Sequence, residues 1–355
     1  MRIHAYTSFT YCYLNRARVL AATLRKYHPD WVIWAVLSDK EPEGFAIDWG
    51  AEDFDRVLTV EELLGERADS WMFGMDVVEA CTAIKGVAMK RILAEEGCQK
   101  LLYFDPDIAL FNPVDNIVNA LEGFSIVLTP HQVDFEPTDD KSAILDNEIC
   151  SLVHGVFNLG FIAIKNDKEG IRFSEWWADR LLDWCYDEKN IGLFVDQKWC
   201  DLVPCFFDNV LVLRDPGCNV ASWNISQRKM TFDEDGRALI NGKLLRFYHF
   251  TKLGVVGDAM TMRYAKDNIE IYELWRWYRD AVVSNTDPRI PKKYWYYGNF
   301  DNGVEIPRTA RKLYRDRSDL KNHFKNPFHV GDGYYGWLES ETQILVKEES
   351  ASGVA

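Results

Sequence analysis

The 355-residue chain has no long apolar stretch, no paired-cysteine motif and too little positive charge to act as a general polyanion binder. No apolar run approaches the roughly 18 to 20 residues that a membrane-spanning helix needs. The opening residues, Met1-Arg2-Ile3-His4-Ala5-Tyr6, run into a strand-like stretch without the apolar core of a signal peptide. A soluble, cytoplasmic protein is the expectation. The eight cysteines, at 12, 81, 98, 150, 185, 200, 205 and 218, make no CxxC pair and no His/Cys cluster at zinc-ligand spacing. They read as scattered, mostly buried thiols of a reducing compartment. Lys plus Arg number 41 against 55 Asp plus Glu, a formal charge of −14, which disfavours a nucleic-acid partner. The stretch after the first strand, Thr7-Ser8-Phe9-Thr10-Tyr11-Cys12, also lacks the Gly-rich, basic loop that a sugar-1-phosphate nucleotidyltransferase requires.

What is present is ample core material, 47% hydrophobic residues, arranged as alternating strand and helix patterns. Residues 3–6 form a short apolar run, followed by the loop at 7–11. A helical face of Leu14, Ala17, Ala21 and Leu24 ends at the breaker His28-Pro29. Residues 31–37 and 56–58 read as further strands, 75–96 as a long helix, and 101–104, 125–129 and 156–164 as strands. Residues 134–147 are polar and acidic and are expected to form a mobile loop. Phe173, Trp176, Trp177, Leu181 and Trp184 recur at helical spacing as a core-facing stripe. Asp235-Gly236 and Asn241-Gly242 predict two hairpin turns before a strand that ends at His249. This alternation predicts an α/β sheet with helices on both faces, whose function gathers at the carboxyl ends of its strands.

The sharpest local feature is Leu101-Leu102-Tyr103-Phe104-Asp105-Pro106-Asp107. A buried strand ends in two carboxylates on the same side, where two hard oxygen donors can share a divalent cation. Asp and Pro are also common turn residues, so a plain turn is the alternative. A strand ending in DxD also opens haloacid-dehalogenase-type phosphatases, but these carry Thr or Val four residues after the first Asp, where this chain has Ala109.

Taken in order, the motifs resemble the GT-A glycosyltransferases, particularly the family 8 group that includes glycogenin and bacterial lipopolysaccharide galactosyltransferases. The resemblance covers roughly residues 2–254. It implies a Rossmann-like mixed sheet flanked by helices, a divalent metal (manganese, or magnesium), a UDP-sugar donor and a glycan acceptor in bacterial surface polysaccharide synthesis. Tyr6-Thr7-Ser8 resembles the uridine-binding opening, and Lys85 occupies the place of a basic residue that touches the diphosphate. Asp105 and Asp107 match the metal-binding DxD, with Asp105 also counted among the donor contacts, and His249 matches the third metal ligand. Phe157-Asn158-Leu159-Gly160 resembles the strand that lines the sugar site, and Asp196-Gln197 the pair near the anomeric carbon, with Asp196 the candidate base if the reaction inverts and the leaving phosphate assisting if it retains. Lys252 and Gly254 follow His249 at +3 and +5, a departure from the family's His-x-x-Gly-x-x-Lys element, and the resemblance implies that Lys252, with Lys85, donates to the phosphates of the donor.

Each candidate has an ordinary structural alternative. Asp196 could be a helix N-cap, Asn158 could satisfy a buried backbone group, and Tyr11 could pack in its loop instead of stacking on a nucleobase. Asp39, at the end of the second strand, is a candidate base or ribose contact. His131 and His154 could face the sugar or acceptor, and the loop 219–224 could shape the acceptor cleft. The expected division is a catalytic domain at 1–260, a helical, basic and aromatic C-terminal extension at 261–330, and a flexible tail at 331–355. The extension holds 14 basic against 9 acidic side chains. Arg308, Arg311, Lys312, Arg315 and Arg317, with Trp295, Tyr296 and Tyr297 upstream, could touch the inner face of an anionic membrane or pack as a helix across the catalytic domain.

Overall fold

The structure, a computed structural model, describes residues 2–345; residues 346–355, the end of the expected flexible tail, lie outside the described residues. In chain order the strands are β1 (Arg2–Phe9), β2 (Val32–Leu37), β3 (Arg56–Thr59), β4 (Cys98–Phe104), β5 (Ile108–Leu110), β6 (Ile126–Pro130) and β7 (Phe157–Lys165). They continue as β8 (Asp187–Glu188), β9 (Leu193–Phe194), β10 (Val210–Val212), β11 (Met230–Phe232), β12 (Ala238–Ile240), β13 (Lys243–Leu244) and β14 (Phe247–His249). Seven of them build one mixed sheet in the order β10-β6-β7-β4-β1-β2-β3. The strands β4, β1, β2 and β3 run parallel, and β7 is antiparallel to both β4 and β6. The expected mixed sheet flanked by helices is therefore present.

Side-chain alternation along the buried strands divides the core between the two faces. Leu101 and Tyr103 point to the face covered by helices Val77–Leu93 and Lys168–Trp184. Leu102 and Phe104 point to the other face, covered by helices Leu14–Tyr27 and Asp115–Gly123. On the first face the helices approach so closely that a Cβ on Gly86 would stand 2.7 Å from the Cα of Ala178. Of the expected aromatic stripe, Phe173, Trp177 and Leu181 are buried, and Trp184, the last residue of the helix, is exposed.

Several expectations need correction. β1 extends through Thr7, Ser8 and Phe9, because these pair with Ala35, Val36 and Leu37 of β2; the loop begins only at Thr10. Residues 134–147 are not a free loop. Lys141–Ala143, Ile144–Ile149 (a π-turn) and Cys150–His154 form a helical run. Buried Glu136 ties it down by accepting from Asn147 Nδ2 (2.7 Å), Ser226 Oγ (2.6 Å) and Gln227 Nε2 (2.8 Å). Helix Val255–Ala265 crosses the expected boundary at residue 260. Within the tail, helix Tyr334–Glu341 buries Tyr334 and Leu338 against Phe73, Tyr314 and Phe324, so apolar packing orders it. All eight cysteines are free; Cys98, Cys185, Cys200 and Cys218 are buried, whereas Cys150 and Cys205 are exposed.

Several basic side chains of the extension are paired with protein groups, although Arg308, Lys312 and Arg317 remain about half exposed. In helix Arg308–Asp316, Arg311 is buried and donates to the carbonyls of Met75 (3.0 Å) and Tyr297 (2.6 Å). Arg308 meets Glu79, Lys312 and Arg315 meet Glu188, and Arg317 meets Asp319. No helix among the described residues is long and apolar enough to cross a membrane.

Candidate active site

Two strand ends and one strand pairing bring the acidic residues and a histidine together. β4 ends at Phe104, and the Asp105 N–H donates to Gly160 O (2.7 Å), which carries the chain past β7. The next strand, β5, pairs antiparallel with β14, and His249 lies opposite Ile108. The Phe250 N–H donates to Asp107 O (2.8 Å), so the register fixes His249 beside the DxD. His249 Nε2 stands 3.0 Å from Asp107 Oδ1 and 3.7 Å from Asp105 Oδ2. One ligand atom from each of Asp105, Asp107 and His249 lies within 4.8 Å of the others. Burial works against charge on His249, but Asp107 opposite holds the imidazole above its ordinary value. Gly160 makes room for this ring: a Cβ there would sit 2.4 Å from His249 Cε1 and 2.8 Å from Asn158 Oδ1. Two carboxylates and an imidazole converging on one point fit a divalent cation of the magnesium or manganese type.

Lys85 stands behind the triad. The capping box of Asp76 and Glu79 starts its helix, and the close packing at Gly86 presses that helix onto the sheet. Lys85 Nζ lies 3.0 Å from Asp105 Oδ1 and 2.9 Å from Asp196 Oδ2, and donates to Leu159 O (3.1 Å). Burial opposes the ammonium charge, yet the two carboxylates outweigh it and hold Lys85 above the ordinary lysine value. The Tyr103 hydroxyl donates to Asp105 Oδ1 (2.6 Å) and faces Ser8 Oγ at 3.1 Å. Asp196 caps no helix. It follows Val195, a β-branched residue held at φ 39°, a strained conformation of the kind that clusters at functional sites.

The sugar-side candidates form one network. Asn158 Nδ2 donates to His131 Nε2 (3.3 Å), and Asn158 Oδ1 accepts from Asn219 Nδ2 (2.9 Å) and from the Gly160 N–H (3.2 Å). Burial holds His131 neutral, its pKa lowered to about 4. The Trp223 indole packs edge-on against both His249 and His131, at centroid distances of 5.2 and 5.5 Å. Gln197 Nε2 donates to His154 O (2.9 Å), and the His154 ring packs on Phe194.

A cleft of about 860 Å³ opens in front of Lys85, Asp105 and Asp107. Of Tyr6-Thr7-Ser8, only Ser8 lines it; Tyr6 is buried and donates from its hydroxyl to Lys85 O (3.1 Å), and Thr7 is buried. Tyr11 is packed in its loop against Phe45, while Cys12 and Tyr13 reach the cleft. Asp39 accepts backbone N–H groups from Tyr11 (3.1 Å), Lys40 (3.0 Å) and Tyr296 (2.8 Å), and burial pushes its carboxyl up to about 7. Lys252 is exposed at φ 54° and does not line the cleft. The opposite wall comes from Lys292, Lys293, Tyr294, Trp295 and Tyr296. Trp295 and Tyr296 belong to the aromatic and basic segment expected either at a membrane face or packed across the catalytic domain. A second cavity of about 710 Å³ is lined by Trp223, Val255, Val256 and Met260.

No protein-family model matches the chain. Two proteins of Bacillus subtilis (strain 168) align with it. The uncharacterized protein YfnF is 28% identical over 183 residues, which covers 51% of this chain and 59% of YfnF. The uncharacterized protein YfnD is 26% identical over 185 residues, covering 51% and 55%. The matched region thus spans little more than half the length of these relatives. Among solved structures, the galactosyltransferase LgtC in complex with donor and acceptor sugar analogs superposes with a TM-score of 0.44 at 14% identity, covering 82% of this chain and 98% of that one. Mouse xyloside xylosyltransferase 1, in its apo form, gives 0.40 at 13%, covering 71% and 98%. Likeness this distant carries no functional weight, and the functional reading rests on the site itself.

Proposed function

We propose that the chain is a metal-dependent GT-A glycosyltransferase that moves a hexose from a nucleotide-diphosphate sugar, UDP-linked, to a hydroxyl of a glycan. The observation that carries this reading is the convergence of Asp105, Asp107 and His249 at the mouth of a nucleotide-sized cleft. A bound manganese or magnesium ion would neutralise charge developing on the leaving diphosphate. The chain's own residues do the positioning. Tyr103 and Lys85 fix the Asp105 carboxylate, and the β5–β14 pairing fixes His249. Asn158 and His131 present a buried polar edge on the sugar side. Asp196 pairs with Lys85 and anchors that lysine. The acceptor approaches from the Trp223 side, and bacterial surface polysaccharide is the setting the sequence resemblance implies.

Incubation with UDP-glucose, UDP-galactose, UDP-N-acetylglucosamine and GDP-mannose, with manganese present, tests this. Slow release of UDP from one donor, abolished by EDTA, is the expected outcome. Inorganic phosphate released from sugar phosphates, with no turnover of any sugar nucleotide, would instead make the chain a DxD phosphatase. Metal-independent glycan binding without hydrolysis would make it a carbohydrate-binding protein.

A further inference from the structure

We propose that Lys292 and Lys293 are the phosphate-binding cations of the cleft, and that residues 292–299 form a wall of the donor site. This inference rests on the donor reading above. The basic residues lining the cleft are Lys85, Lys292 and Lys293, and the acidic ones are Asp105, Asp107 and Glu305. Lys85 is 2% exposed, sits between Asp105 and Asp196 and donates to Leu159 O, so its charge is already balanced inside the protein. Lys252, which the sequence pattern placed near the phosphates, does not line the cleft. A divalent cation held by Asp105 and Asp107 would balance those two carboxylates, and Lys85 balances Asp196. Glu305 then leaves the cleft acidic before a ligand with two phosphates enters. Such a ligand needs further positive charge, and Lys292 and Lys293 are the lining residues that can supply it.

Two features make them suitable. Among the described residues neither lysine has a carboxylate partner, whereas Arg308, Lys312, Arg315 and Arg317 further along are all in ion pairs. The backbone that carries them is also fixed against the sheet. Trp295 Nε1 donates to Ser38 O (3.1 Å), the Tyr296 N–H to Asp39 Oδ1 (2.8 Å), and the Tyr294 hydroxyl to Glu41 O (3.2 Å). Two flexible ammonium groups on a fixed strap suit phosphate oxygens, which lysine engages as a point charge.

The test is calorimetric titration of UDP and of uridine, with manganese, into the wild-type chain, K292A/K293A and K292R/K293R. The alanine pair is expected to weaken UDP binding by about tenfold or more and to flatten its salt dependence. Uridine binding and melting temperature should stay unchanged, and the arginine pair should retain affinity. UDP binding by the alanine pair at wild-type strength would overturn this inference alone. So would an equal loss for uridine, which would show a role in holding the wall. A wild-type chain that binds no UDP would overturn the donor reading along with it.

Discussion

Asp107→Asn is expected to lower turnover by about 10²- to 10³-fold or more, the scale on which transition-state charge stabilisation acts in enzymes, and to leave the melting temperature near wild type. The substitution keeps the side-chain shape and an oxygen that can still accept from His249 Nε2, now 3.0 Å away. It removes one of the two carboxylates that face the shared point with His249. The local packing survives because the antiparallel pairing of β5 with β14, and the Phe250 N–H bond to Asp107 O, belong to the backbone. Steady-state donor turnover beside a thermal melt separates the two effects. A wild-type rate in the variant would return Asp105-Pro106-Asp107 to an ordinary turn.

Lys85→Met should destabilise the protein by about 3–5 kcal/mol, because it strands buried carboxylates without a counter-charge. Asp196 bears the larger share of that cost: its side chain is 3% exposed, against 24% for Asp105, which water can reach. Adding Asp196→Asn to Lys85→Met removes the stranded charge, so the double variant should recover much of the lost stability. Urea denaturation of the two variants checks this. If the double variant were less stable than Lys85→Met, the Lys85–Asp196 pair would not be the source of the loss. Recovered stability without recovered turnover would place the Lys85–Asp196 pair in the chemistry as well as in the core.

The parts of the site that were legible in the sequence are those set by short-range pattern. A buried strand ending in Asp-Pro-Asp, a helix carrying Lys85 just before it, and hairpin turns delivering His249 all follow from alternation and turn residues, and the structure brings Lys85, Asp105, Asp107 and His249 together. The Tyr6-Thr7-Ser8 reading went astray because β1 continues through Ser8. Tyr6 and Ser8 share the face beneath the helix that carries Lys85, and of the two only Ser8, nearer the carboxyl end of the strand, reaches the cleft. Lys252 sits in a turn at positive φ with its side chain exposed and outside the cleft lining. The cleft wall was illegible for a different reason. Trp295 reaches Ser38 and Tyr296 reaches Asp39 across 257 positions of chain, and no local periodicity encodes such a return. The aromatic and basic composition of that segment was visible, but its partner was not. Residues 134–147 misled in the same way, since the acidic Glu136 is buried by three donors, two of them some 90 residues away.

The most direct measurement is a thermal melt of the full chain with UDP, with manganese, with both and with neither. A ligand that binds only the folded state raises the melting temperature by mass action, by the equivalent of about 2.7 kcal/mol at a hundred times its dissociation constant. The expected result is a shift with UDP and manganese together that clearly exceeds the sum of the separate shifts, and that Asp107→Asn abolishes. No shift with UDP at millimolar concentration, whether or not manganese is present, would contradict the assignment of the Asp105–Asp107–His249 cleft as a nucleotide-sugar site.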